Sequence, residues 1–233
     1  MSSLLLIGFL IGMRHALDAD HVAAVASLAT NQQSLKQATK QGVAWGIGHT
    51  ITLFIFGSIV LWMDTVMPEA LAQLLEFLVG LMLVVLGADV LLRVIKEKIH
   101  FHQHSHGQQS HFHAHSHANE KTHKKSTHQH RHGDKFPLRF LMVGLMHGMA
   151  GSAALILLML GSIDSPWLGM LYILLFGIGS ILGMAVLSIA IAIPLRSSAK
   201  GLTWLHNGLQ TAIGFFTIGL GASIVFGYGL ISS

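Results

Sequence analysis

Residues Met13 to Val22, read M-R-H-A-L-D-A-D-H-V, set one Arg, two Asp and two His inside a run that is otherwise apolar from Leu4 to Ala29. Imidazole nitrogens beside carboxylate oxygens suit a divalent first-row transition ion, whereas Mg2+ or Ca2+ asks for oxygen throughout. On a straight helix each residue turns by about 100°, so with His15 at zero Asp18 falls near −60° and His21 near −120°. These three share a face. Asp20 falls on the far side unless the helix is kinked or unwound, and Arg14 stands at the i,i+4 spacing that would let it pair with Asp18. Such a pair, taken as purely structural, leaves His15, Asp20 and His21 unexplained. A charge near the centre of a membrane helix costs about 2.5 to 3.5 kcal/mol, and those that persist line a cavity or an ion path.

The elements that must hold these groups are membrane helices. Hydrophobic residues make up 52% of the chain and charged residues 10%, with a mean hydropathy of +0.61. Cysteine is absent, which excludes a disulfide framework and a thiolate metal site. The first apolar run follows no basic segment and ends at no small-residue cleavage site, so no removed signal peptide is expected. Stretches of spanning length run from Leu4 to Ala29, Val43 to Met63, Leu71 to Ile95, Phe136 to Leu160, Trp167 to Leu195 and Leu209 to Leu230. The expected fold is an all-α membrane protein of six transmembrane helices. Pro194, and the turn-like Ser162 to Pro166, read as punctuation.

Lys36 and Lys40 lie between the first two spans, nine Lys and Arg from Arg93 to Arg139 lie at or between the third and fourth, and Arg196 and Lys200 lie between the fifth and sixth. The opposite loops carry Asp64, Glu69 and Asp164. The positive-inside rule then predicts a multi-pass protein of the cell (inner) membrane, with both termini outside and the central loop cytoplasmic. The net charge of +4 follows from topology, and no nucleic-acid partner is expected; the surroundings are lipid.

An internal repeat emerges at an offset of about 132 residues. Gly12-x-x-His15 matches Gly144-x-x-His147, Gly46-Ile47-Gly48 matches Gly177-Ile178-Gly179, and Gly80 with Gly87-Ala88 matches Gly214 with Gly221-Ala222. Three helices per copy put the second copy upside down in the membrane, an arrangement of secondary transporters with a midplane site. The expected domains are a first three-helix repeat over 1–98, a loop over 99–135 and a second repeat over 136–233. Where the first copy has Asp18, Asp20, His21 and His49, the second has Gly151, Ala153, Ala154 and Ser180, so most ligands belong to the first. The second keeps His147 in a small-residue stretch, Met146 to Ala154, suited to close helix packing. His49 and His147 fall at depths similar to His15 and His21, and the four could converge. Asp89 is a further candidate near the cytoplasmic end, as a supporting or proton-linked group or a solvated one, and His206 is expected at the interface.

Arg14-His15-Ala16-Leu17-Asp18-Ala19-Asp20-His21 resembles the H-x4-D-H signature of the nickel/cobalt transporter (NiCoT) family, and Gly48-His49-Thr50 resembles that family's second motif. The stretch from His147 to Ala154 is similar to compact members of the wider nickel/cobalt permease superfamily. The likeness is strong over the first two helices and loose beyond them, and the chain differs from the eight-helix pattern in having no helix before the signature. The resemblance implies that His15, Asp18, Asp20, His21 and His49 are needed for transport, with His147 added here as a sixth metal-site residue.

From His100 to His132 the chain carries twelve His, at 100, 102, 104, 106, 111, 113, 115, 117, 123, 128, 130 and 132. Such a tract cannot build a core and reads as a disordered, metal-binding cytoplasmic loop. Together these features predict a permease for Ni2+ or Co2+, working inward, with no catalytic residue and no resident cofactor; the ion is cargo, and a cytoplasmic metallochaperone is a candidate partner. Nothing in the chain forms a P-loop. The rivals are an exporter of the same ions, a membrane accessory protein that delivers nickel to an enzyme without moving it across, and, last, a membrane di-iron enzyme, which would need more clustered His.

Overall fold

A computed structural model describes residues 2–30, 34–63, 68–96, 99–106, 109–116, 137–148, 165–201 and 203–231. In chain order the described elements are α1 (Ser2–His15), α2 (Ala19–Ala29), α3 (Leu35–Met63), α4 (Glu69–Lys96), β1 (Ile99–His106), β2 (Gln109–Ser116), α5 (Leu138–His147), α6 (Pro166–Gly201) and α7 (Thr203–Ile231). Four of these helices, α3, α4, α6 and α7, are long and apolar enough to cross a membrane.

The expected first span is two helices rather than one. Helix α1 stops at His15, the chain turns through Ala16 and Leu17, and Asp18 takes an extended conformation (φ −63°, ψ 146°) before α2 begins. Leu17 N–H donates to the Arg14 carbonyl at 2.8 Å and Asp18 N–H to the His15 carbonyl at 3.1 Å, which closes α1 with a tight turn. Of the expected fourth span, α5 covers Leu138–His147; its continuation, with the small-residue match at Gly151 to Ala154 and the turn at Ser162 to Asp164, lies outside the described residues.

Two further expectations change. Pro194 does not end its helix: α6 continues to Gly201. A proline in a helix interior removes one backbone donor, and hydroxyls hold the carbonyls around it, Ser197 on Ile193 at 2.9 Å and Ser198 on Leu195 at 2.9 Å. The central loop, expected to be disordered, contains an antiparallel hairpin of β1 and β2 in which His100 stands opposite His115, His102 opposite His113 and His104 opposite His111, while the rest of the described chain is helical as expected. His117, His123, His128, His130 and His132 lie outside the described residues.

The helices meet where glycines let backbones touch. A methyl at Gly12 of α1 would overlap the Phe176 carbonyl of α6, and one at Gly179 of α6 would overlap the Phe9 carbonyl of α1. Gly48 of α3 sits in the same way on Leu141 of α5, and Gly144 of α5 on the Trp45 carbonyl of α3. In the third pair, Gly80 of α4 faces Gly221 of α7 and Gly87 faces Gly214. The contacts are reciprocal in each case. Helix α2 is tied to α7 by Thr217, whose hydroxyl lies 2.9 Å from that of Ser27 and donates to the Ala23 carbonyl at 3.2 Å.

Trp45, Leu83, Met184, Val25 and Leu86 lie in the main core, and Leu53, Ile173 and Phe176 form a smaller cluster beside it. Large apolar side chains also cover the outside, among them Leu10, Ile55, Val85, Leu182, Phe215 and Phe226, as on a surface that faces hydrocarbon. Trp62, Trp167 and Trp204 stand exposed near helix ends, the position of interfacial aromatic belts.

Candidate metal centre

The break after α1 is what assembles the centre. A straight helix would send Asp20 away from His15, but the turn at Ala16 to Asp18 re-aims α2, and His15 and His21 come to lie with ring centroids 4.5 Å apart. Helix α3 brings His49 to 5.2 Å from each of these two rings. Helix α5 ends at His147, whose ring lies 4.2 Å from that of His21 and 6.3 Å from that of His49. The glycine contacts make this approach feasible: Gly48 and Gly144 flank the two histidines of α3 and α5.

All four imidazoles are buried, His49 at 0% exposure, His21 at 1%, His147 at 2% and His15 at 7%. The carboxylates hold their outer edges. His15 donates Nδ1–H to Asp18 Oδ2 at 2.7 Å, so Asp18 pairs with His15, three residues away, rather than in the expected i,i+4 position with Arg14. Asp20 accepts from two imidazoles, from His21 Nδ1 at 3.0 Å through Oδ1 and from His147 Nε2 at 2.9 Å through Oδ2. Its Oδ1 also accepts the His21 backbone N–H at 2.9 Å.

Five buried imidazole nitrogens find no hydrogen-bond partner among the described residues: His15 Nε2, His21 Nε2, both nitrogens of His49, and His147 Nδ1. An unpaired buried polar atom carries a desolvation penalty of about 1 to 3 kcal/mol, and five in one place make a poor structural core. They suit a metal ion well. A ligating His commonly gives its second nitrogen to a carboxylate, which fixes the tautomer and turns the lone pair toward the ion; His15 with Asp18 and His21 with Asp20 have this form. Two groupings place potential ligand atoms within 4.8 Å of one another, one of His15, His21 and His49 and one of Asp20, His21 and His147. Asp18 is in neither.

The structure thus brings His15, Asp20, His21, His49 and His147 together, with Asp18 at their edge behind His15. Spacing alone aligned only His15, Asp18 and His21. Trp45 was missed: it is fully buried, with its ring 6.2 Å from that of His21 and 5.7 Å from that of His147. Its signal is its place four residues before His49, hence on the same helix face. Asp89 belongs elsewhere. It accepts from Arg93 at 3.3 Å and from Arg139 at 3.1 Å, joining α4 to the start of α5. His206 links α6 and α7 through its contacts with Ser198, the Leu195 carbonyl and Gln210.

Over 229 residues the chain is 36% identical to the urease accessory protein UreH of Bacillus sp. (strain TB-90), an alignment covering 98% of this chain and 92% of that relative. It is also similar to two Arabidopsis thaliana chloroplast proteins, FOR GROWTH AND FERTILITY 2 at 26% identity and FOR GROWTH AND FERTILITY 1 at 27%, over 96% of this chain in each case. It spans 57% and 60% of their lengths. No family model matches the chain. No solved structure matches it.

Proposed function

The chain belongs to the family of the urease accessory protein UreH, and on that premise we propose that it serves a nickel enzyme from the membrane, carrying Ni2+, or Co2+ by the same chemistry, inward through the four-histidine centre. Urease is a nickel enzyme, which makes the ion the common term between the relative and the donor set. The observation that carries the reading is the convergence of five buried imidazole nitrogens, from four helices, that have no hydrogen-bond partner among the described residues. Ligands buried within membrane helices suit an ion that passes.

The reciprocal glycine contacts support two inverted halves. Under the repeat, Gly12 corresponds to Gly144 and Gly48 to Gly179, and each of these pairs seats its helix on the equivalent partner in the other half. Rocking of such halves would expose the centre to either side in turn. With both termini outside and the His-rich loop cytoplasmic, the membrane potential draws a divalent cation inward by about 2.3 kcal/mol per charge per 100 mV. The loop would receive ions as they arrive. The protein acts as a carrier in this scheme and catalyses no covalent step.

Urease activity in cells supplied with submicromolar nickel tests the proposal. Cells expressing the wild type should show higher activity and higher cell-associated nickel than the empty-vector control, and His15→Ala should show neither. Higher urease activity with cell-associated nickel no higher than the control would mean delivery without passage. Cell nickel below the control would mean export.

A further inference from the structure

The two ligand groupings share one residue, His21, whose two nitrogens have different surroundings. His21 Nδ1 faces Asp20 at 3.0 Å, beside His147, while Nε2 is buried without a partner among the described residues and the rings of His15 and His49 lie 4.5 and 5.2 Å away. A neutral imidazole has one N–H and one lone pair. It can ligate through one nitrogen at a time.

We propose that the centre is a pair of overlapping stations for a single divalent ion, the first made by His15, His21 and His49 and the second by Asp20, His21 and His147. This rests on the reading that a transition ion binds here. In the first station the His21 proton is on Nδ1, donated to Asp20, and Nε2 ligates. In the second the proton is on Nε2, and Nδ1 joins an Asp20 oxygen and His147 Nε2 around the ion, the His147 proton having moved to Nδ1. Each ring keeps one proton throughout, so the exchange neither takes up nor releases one. Both stations cannot be filled at once without stripping that last proton from His21.

The stations differ in origin and charge. The first draws its ligands from α1, α2 and α3, all in the first half of the chain, and offers three neutral nitrogens. The second adds α5, from the other half, and a carboxylate. Passage of the ion from one to the other therefore changes which helices it holds together, which links its movement to the relative position of the halves.

The test uses the full chain in detergent, with the twelve His of residues 100–132 replaced by Gln so that the loop does not contribute, and Ni2+ as the probe. Equilibrium binding should give one ion per chain, and X-ray absorption should count no more than three imidazole ligands. His49→Ala and His147→Ala should each still bind one ion, the first through fewer imidazoles. His21→Ala should bind none at concentrations that saturate the other two. Two ions per chain, or one ion with four imidazoles, overturns the proposal. So does loss of binding in either His49→Ala or His147→Ala when its melting profile matches the parent. Should the unmutated centre bind no Ni2+ at all, it is the proposed function that fails; the X-ray count on that parent decides the matter if a variant does not fold.

Discussion

Asp20 joins two histidines that lie far apart in the chain: one carboxylate oxygen accepts from His21 at 3.0 Å and the other from His147, 127 residues away, at 2.9 Å. The link crosses from α2 to α5, and so from one half of the chain to the other. It also presents a negative charge to an otherwise neutral cluster of imidazoles.

Replacing Asp20 by Asn removes that charge and leaves only one oxygen to accept. Loss of a carboxylate behind metal-ligating His typically lowers metal affinity or activity by about 10- to 100-fold, and nickel uptake in Asp20→Asn should fall within that range or below it. Asp18→Asn should fall less, because Asp18 holds only His15 and its side chain is 48% exposed. Uptake at submicromolar nickel, compared at equal protein levels, checks the order of the two.

Gly144→Ala should damage the fold itself. Its methyl would overlap the Trp45 carbonyl of α3, and overpacking of a well-packed contact costs typically about 1 to 3 kcal/mol. Gly208, exposed on α7 with nothing within 4 Å of an added Cβ, is the control, and Gly208→Ala should match the wild type or exceed it. Thermal midpoints in detergent measure both.

The Asp89 pairs should prove peripheral. Asp89 is 40% exposed and Arg139 63%, and exposed ion pairs contribute about 0 to 1 kcal/mol. Asp89→Asn should therefore shift the thermal midpoint little and leave nickel binding intact. A variant that folds but binds no nickel would place Asp89 in the ion's path.

The His-rich loop should govern metal capture more than maximal flux. Imidazole binds metal only when neutral and is protonated as pH falls through about 6.5. Metal held by the loop should thus be present at pH 7.5 and lost by about pH 5.5. Replacing the twelve His with Gln should abolish that pH-dependent fraction, measured by metal analysis after dialysis, while uptake at saturating nickel stays near wild type.

Much of the centre could be read from the sequence because chemistry in an apolar run is conspicuous. His15, Asp20, His21, His49 and His147 stand out for that reason. Their mutual geometry could not be read, since a helical wheel assumes a continuous helix and the chain turns at Ala16 to Asp18. The turn has no Gly or Pro to announce it. Its trace is Asp18, a residue type favoured before a helix, whose carboxylate here is used on His15 instead of on the α2 backbone. Pro194 misled in the other direction, because hydroxyls and packing sustain α6 beyond it. The hairpin was legible in principle: His at every second position from 100 to 106 and again from 111 to 117 is a strand period, and composition drew attention away from it.

Passage of nickel through this centre can be followed by the accumulation of radioactive nickel in cells expressing the wild type beside His15→Ala and His49→Ala, at submicromolar metal and with cobalt and zinc as competitors. Accumulation should rise above the empty-vector control in the wild type, be suppressed by excess cobalt and be absent in both variants. Accumulation that is unchanged in the variants, or no higher in the wild type than in the control, would contradict such passage.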